Sequence, residues 1–466
     1  MADSQIRPTR SDPDLLVGNE VVGGPAGDHE ASPRFWTPLR IILVVGTLVY
    51  WVGLLRTYPC MSNGWLNPDR YEALCYSDIP VLYQLRGLAD GLMPILEWPA
   101  DGQPLEYPAL TVVWVWLIAK GIGLFSTSPL IYYLATATLS YLLFVVALVA
   151  TSLTVRRRTW DGLLLAASPA VLLASFINWD WLAVALTSLA LLAWSRKRPG
   201  WAGFALGLAI SAKFYPLLLL GPLFLLCLRD RKLAAFGQVL MSTAAAWLAV
   251  NVYFAVANPG GWSYFFTFSQ ERGPDFGSWW LMAEKWGWAI PADVVNLLGT
   301  TQLVIFCVGI AALIFFAPQK PRVAQVSFLV VAAFIVSNKV YSPQFVLWLL
   351  PLAILARPRW RDLIWWQLAQ AVYFVAIWWY LVGLSDGERG LPDQWYAGAI
   401  AVHLVATIIF AVLVVRDILW PEYDPIRSDG DPSHADDPGG GALDHARKAS
   451  GALPVAGAES TARAAG

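Results

Sequence analysis

Hydrophobic residues in this chain come in long runs rather than in the narrow stripes of helices packed in water. Apolar runs occupy Pro38–Arg56, Tyr107–Phe125, Leu130–Val155, Gly162–Ile177, Trp181–Trp194, Trp201–Ala212, Tyr215–Leu228, Ala234–Ala255, Val294–Ala317, Val323–Ser337, Phe345–Ala356, Leu363–Gly383 and Tyr396–Val415. A helix needs roughly 20 apolar residues to cross a bilayer, where each backbone polar group must be satisfied without water. The pattern predicts an all-α, polytopic membrane protein with about a dozen spans. Residues 1–33 and 421–466 are polar and rich in Gly, Pro, Asp or Ala, and read as disordered tails around a transmembrane domain at 34–420. The first tail lacks the basic start and small-residue cleavage site of a signal peptide.

Composition strengthens this reading. The 466 residues are 57% hydrophobic and 14% charged, with a mean hydropathy of +0.53, too apolar for a soluble surface. A net charge of −1 offers no basic field for nucleic acid. Positive residues cluster at Arg156–Arg158, Arg196–Arg198, Arg229–Lys232, Lys320 with Arg322, and Arg357–Arg361. Lys and Arg are retained in the cytoplasm, so these clusters and both termini are expected inside. Asn178–Asp180, Lys213, 258–293, 338–344 and 385–394 are then outside. Three runs precede the first internal cluster, where an even number of crossings is required. Tyr107–Phe125, interrupted by Lys120, Gly121 and Gly123, is the run expected not to cross.

The external stretch 57–106 is too long for a simple connector. It holds Cys60 and Cys75, which on the oxidising side read as a disulfide, against the alternative of two buried thiols. From Pro80, the residues Val81, Leu82, Leu85 and Leu88 share one helical face, and Gly91 is expected to end that helix. Such a helix is expected on the membrane surface. Asp78 just before it reads either as a helix-capping carboxylate or as an acid held at the water–lipid boundary.

Several short motifs resemble glycosyltransferase family 87. Asp78, Tyr83, Gly91, Pro94 and Glu106-Tyr107-Pro108 are similar to its Asp, Tyr, Gly-x-x-Pro-Tyr and Tyr-Pro-Pro signature. Gly203, Gly207 and Lys213-Phe214-Tyr215-Pro216 resemble its Gly-rich helix and Lys-x-x-Pro, and Tyr341 to Trp348 with Pro351 resembles its Ser-Pro-x-aromatic run. Ile95 and Ala109 depart from the pattern, where Tyr and a second Pro are usual. The resemblance implies a GT-C fold and, by likeness to actinobacterial mannosyltransferases, transfer of mannose from a polyprenyl-phosphate donor. The implied acceptor is a lipid-linked or cell-envelope glycan on the outer face of the plasma membrane. It also implies that Tyr83, Glu106, Tyr107 and Tyr341 contact substrate. An arabinosyltransferase of the same fold, a transporter of lipid-linked sugars and a noncatalytic assembly subunit are the alternatives.

Such transfer needs a carboxylate to deprotonate the acceptor, cations for the phosphate and a groove for lipid. Asp78 is the expected base and Asp180 the second candidate, with helix capping again the alternative for Asp180. Lys213, Lys339 and Arg272 are the expected phosphate ligands; against this, a lysine at a helix end can snorkel, and Arg272 can pair with Glu271 or Asp275. Most of the 25 tryptophans fit an interfacial belt, while Trp279 and Trp280 are candidates for stacking on sugar. No phosphate-binding loop, dinucleotide fingerprint or zinc motif is present, and nothing in the sequence calls for a metal or another cofactor.

Overall fold

The computed structural model describes residues 35–100, 102–429 and 436–444, which form helices and no strand; the expected tail at 1–33 lies outside them. In chain order the helices are α1 (Pro38–Arg56), α2 (Tyr58–Asn63), α3 (Asp69–Glu72), α4 (Asp78–Leu85), α5 (Ala109–Gly123), α6 (Pro129–Thr154), α7 (Leu163–Ala166), α8 (Pro169–Ala174), α9 (Trp181–Ser195), α10 (Pro199–Ala212), α11 (Leu220–Arg229), α12 (Leu233–Ala257), α13 (Pro259–Glu271), α14 (Trp279–Lys285), α15 (Ala292–Phe316), α16 (Val323–Ser337), α17 (Val346–Ala356), α18 (Trp360–Asp386) and α19 (Asp393–Leu419).

Among the described residues, six helices are long and apolar enough to cross a membrane: α1 continuing into α2, then α6, α12, α15, α18 and α19. A second set of apolar helices has only 10–17 residues each. Of these, α9 and α16 have 15 residues, a rise of about 22 Å against roughly 30 Å of hydrocarbon. Both are buried along most of their length, as is α17. Longer helices sheathe the short ones, so the polar loops at the short helices' ends are recessed within protein, where irregular backbone is tolerated. Two glycines bring α10 onto α12. A Cβ on Gly203 would lie 2.2 Å from Val239 O, and one on Gly207 would lie 2.4 Å from Thr243 O. Small residues at this spacing let apolar helices touch through their backbones.

The bundle has two polar ends, called here the basic end and the site end. Gly162–Ile177 joins them not as one helix but as α7 and α8, broken at Ser168-Pro169. Proline lacks the N–H that would continue the ladder, and Ser168 Oγ accepts from the Ala170 N–H. By contrast, the first two turns of α5 are tied to the site end. Thr111 donates to Ala212 O at 2.7 Å, and Trp116 Nε1 donates to Gly91 O at 3.3 Å.

At the site end, a disulfide joins Cys60 and Cys75. Arg56 donates to Leu74 O and Leu173 O, tying the same loop to α8. The surface-helix expectation is corrected in two respects. The helix starts at Asp78, capped by Ser77, and stops at Leu85, ahead of Gly87 with its left-handed backbone. The side that meets protein is also a different one: Ile79, Pro80, Leu82 and Tyr83 are buried, with Tyr83 stacked on Tyr132 of α6 at 4.1 Å, while Leu85 of the expected apolar face is exposed. Neighbouring helices and lipid are equally apolar, so periodicity cannot tell them apart.

At the basic end, the expected disorder after Trp420 is corrected for residues 421–429 and 436–444, which cross this end as an acidic strap. Asp424 receives Arg322 Nε at 2.7 Å and Nη2 at 2.9 Å, with Gln325 Nε2 at 3.2 Å and the Ile426 N–H at 3.0 Å. Asp429 pairs with Arg157 and Arg158, and Asp437 accepts from the Val323 N–H that opens α16. Lys320 pairs with Asp230 and donates to Leu443 O. Further along, Gly441 passes so close to Trp194 O that a Cβ would lie 2.0 Å from it. The strap thus supplies counter-charge to cations that burial would otherwise strand.

Because the side chains of Arg322 and Asp424 are 1% and 0% exposed, Asp424→Ala is expected to destabilise the fold by about 3–5 kcal/mol. Thermal unfolding of the purified protein measures this. The paired replacement Arg322→Met with Asp424→Leu, which strands no charge, is expected to recover most of the loss.

Candidate active site

Asp78 opens α4, but Ser77 caps that helix by accepting the Ile79 N–H at 3.2 Å. Ser77 is thus the capping residue, and Asp78 lies in the first turn beside the helix dipole with its carboxylate turned to other partners. Its Oδ1 accepts from Tyr76 OH at 2.8 Å, and its N–H donates to Ile177 O at 2.7 Å, fixing it beside the turn before α9. Burial pushes the Asp78 carboxyl up to about 6; the Tyr76 hydrogen bond opposes this, Glu106 adds to it, and Lys213 and Asp180 pull in opposite directions. A carboxylate with that value is ionised at neutral pH and is a stronger base than an ordinary aspartate.

That neighbouring turn carries Asp180 at the start of α9. Its side chain caps nothing; Asn178 Oδ1 accepts the Asp180 N–H at 3.1 Å instead. Lys213, in the extended residue that follows α10, brings Nζ to 2.6 Å from Asp180 Oδ1. The ammonium also lies 4.5 Å from the Tyr107 ring centre and 5.5 Å from that of Trp348. Lys213 therefore turns inward to a carboxylate and two aromatic faces rather than snorkelling. Asn178 Nδ2 donates to Tyr107 OH at 3.3 Å, and Glu106 pairs with Arg86 at 3.1 Å. Asp78, Asp180, Lys213, Glu106 and Tyr107 thus gather in one acidic cluster.

The other two expected cations lie together elsewhere. Arg272 pairs with Asp275, the structural alternative for it, and Lys339 Nζ donates to Gln270 O at 2.9 Å. Burial, and then the nearby Arg272, lower the Lys339 ammonium below the usual lysine range. Their loops are stitched by Asp275 N–H to Lys339 O at 2.8 Å and Tyr341 N–H to Phe276 O at 3.0 Å. Close passage requires Gly277, where a Cβ would lie 2.1 Å from Tyr341 O. His403 Nε2 contacts Gly277 O at 3.0 Å from beneath.

Three expected substrate contacts sit in packing instead. Trp280 is buried with Nε1 donating to Ser337 O, and Tyr341 is buried with its hydroxyl on Thr407. Tyr83 is covered by Tyr132. Trp279 is partly exposed and donates to Gln302. Tyr76, Asn178, Arg86 and Trp348 were not singled out from sequence as site residues. The first two each lie two residues before a chosen acid, and for Asn178 this is the spacing at which a short polar side chain meets a turn.

Beside the acidic cluster, a cavity of about 310 Å³ runs between α5, α10, α12 and α13. Pro108, Ala109, Phe214, Trp247, Trp262 and Phe266 are among its lining residues. Pro108 and Phe214 directly follow Tyr107 and Lys213, so apolar space begins where the charged cluster ends. The family model of glycosyltransferase family 87 matches residues 106–337. This chain belongs to glycosyltransferase family 87. No curated protein matches it. The match in this family 87 protein contains Asp180, Lys213 and Arg272, while Asp78 and Lys339 fall outside it. Membership makes the chain a membrane glycosyltransferase.

Tyr76→Phe deletes the hydrogen bond that favours ionised Asp78, so the carboxyl is expected to rise further above about 6. If Asp78 acts in its ionised form, the acid limb of the pH–rate profile moves to higher pH, with activity lost near pH 6 and kept near pH 8. An unmoved acid limb would separate Asp78 from the rate.

Proposed function

We propose that this family 87 protein transfers a sugar, mannose by its resemblance, from a polyprenyl-phosphate donor to a lipid-linked or cell-envelope glycan. The observation that carries this reading is a half-buried carboxylate of raised basicity near an inward-turned lysine at the mouth of an apolar cavity. Sugar phosphates on lipid need all three. The prenyl chain lies in the cavity between α5, α10, α12 and α13, and Lys213 meets the phosphate as a point charge.

Asp78 takes the proton of the acceptor hydroxyl as its oxygen attacks the anomeric carbon. The bond from that carbon to the phosphate oxygen breaks, the electron pair leaves with the phosphate, and Lys213 offsets its developing charge. Attack opposite the leaving phosphate inverts the configuration. Arg272 and Lys339 offer a second cationic patch at the site end, for the phosphate of donor or acceptor. Lys and Arg are held in the cytoplasm, and the strap gathers the clusters around Arg157, Lys320 and Arg322 at the opposite end. The site then faces outward across the plasma membrane, and both termini lie inside.

Asp78→Asn keeps the size of the side chain and removes its basicity. Turnover of polyprenyl-phosphate mannose is expected to fall by roughly 100-fold or more, while donor binding persists. Labelled sugar transfer by the purified protein in nanodiscs measures both. Near-normal turnover in this variant would remove Asp78 from the role of base.

A further inference from the structure

Two of the buried ion pairs among the described residues are built differently. Asp424, at the basic end, accepts four aligned hydrogen bonds, from Arg322 Nε and Nη2, Gln325 and the Ile426 N–H. Asp180 is equally inaccessible, at 1% exposure. Yet no described donor makes an aligned hydrogen bond to either of its carboxylate oxygens. Lys213 approaches Oδ1 to 2.6 Å as a close but misaligned contact, and it is the one salt-bridge partner of Asp180 among the described residues. A buried carboxylate left this bare is costly unless another partner arrives in the working state. The lysine is held on its other sides by the Tyr107 and Trp348 rings, contacts that persist whichever anion it faces.

We propose that the Lys213–Asp180 pair is an exchangeable latch, in which a polyprenyl phosphate takes the ammonium of Lys213 from Asp180 and the released carboxylate accepts a hydrogen bond from a hydroxyl of the bound sugar. This rests on the polyprenyl-phosphate reading above and gives Asp180 a role other than base. It also couples the two acids. Tyr76, Glu106, Tyr107, Lys213 and Asp180 are the charged or titratable groups that bear on Asp78. Once Lys213 turns to the phosphate, the uncompensated charge of Asp180 strengthens Asp78 as a base when the donor is in place. An empty site keeps the weaker base.

The test is the affinity of sugar-free polyprenyl monophosphate for the full chain in nanodiscs, read by tryptophan fluorescence. Asp180→Asn removes the competing carboxylate and is expected to tighten binding by roughly tenfold. Asp180→Glu keeps the competition and is expected to stay near the unaltered protein. The gain is expected to vanish in the Lys213→Gln background, since it acts through that ammonium. Unchanged or weaker binding by a folded Asp180→Asn protein overturns the latch and leaves the proposed function standing. Absence of binding by the unaltered protein overturns both. Should Asp180→Asn fail to fold, Asp180→Ser takes its place: tighter binding that vanishes in the Lys213→Gln background supports the exchange, and unchanged or weaker affinity overturns it.

Discussion

A charged side chain inside an apolar helical bundle is stable only beside its counter-charge, and the two ends of this protein answer that constraint in opposite ways. At the basic end, Arg322 is saturated, held by both oxygens of Asp424 and by the carbonyls of Leu355 and Ala356. Breaking such a pair leaves a charge with no solvent to receive it, so this end is a fixed foundation. At the site end, Asp78 keeps a raised proton affinity and Asp180 keeps one misaligned partner. Incomplete compensation there leaves interactions for a substrate to complete.

Helix length places that incompleteness where chemistry can use it. Helices α9 and α16 are too short to cross the hydrocarbon alone, so the turns carrying Asn178, Asp180 and Lys339 begin inside the protein. Burial then follows from architecture, and burial is the leading cause that raises the Asp78 carboxyl. The disulfide Cys60–Cys75, the Arg56 contacts with Leu74 and Leu173, and the Asp78–Ile177 hydrogen bond fasten the acid-bearing loop to this frame. A carboxylate supported on three sides is positioned before any substrate arrives, as the base of the proposed transfer would need to be to limit reorganisation during reaction.

The apolar runs were legible because backbone satisfaction in lipid forces long helices. The two acids were legible because carboxylates at the boundaries of such runs are rare. Long-range pairing was not. Arg157 and Asp429 are separated by 272 positions, and nothing local in the strap distinguishes its aspartates from those of a solvated tail. The burial of Trp280 and Tyr341 was equally hidden, since an aromatic residue in an outer loop carries the same letter whether it faces sugar or a neighbouring carbonyl. Tyr76 and Asn178 lay within reach, because a polar side chain two residues before an acid can meet its carboxylate, as Tyr76 does, or its N–H, as Asn178 does.

The most direct measurement is an electron cryo-microscopy structure of the full chain in nanodiscs with a non-reacting polyprenyl-phosphate sugar. The account predicts the prenyl chain between α5, α10, α12 and α13, the phosphate on Lys213, and the anomeric carbon within reach of an acceptor hydroxyl held by Asp78, a gap of about 3–3.5 Å between reacting atoms. A lipid chain outside that cavity, with its phosphate remote from Lys213 and its sugar remote from Asp78, would contradict it.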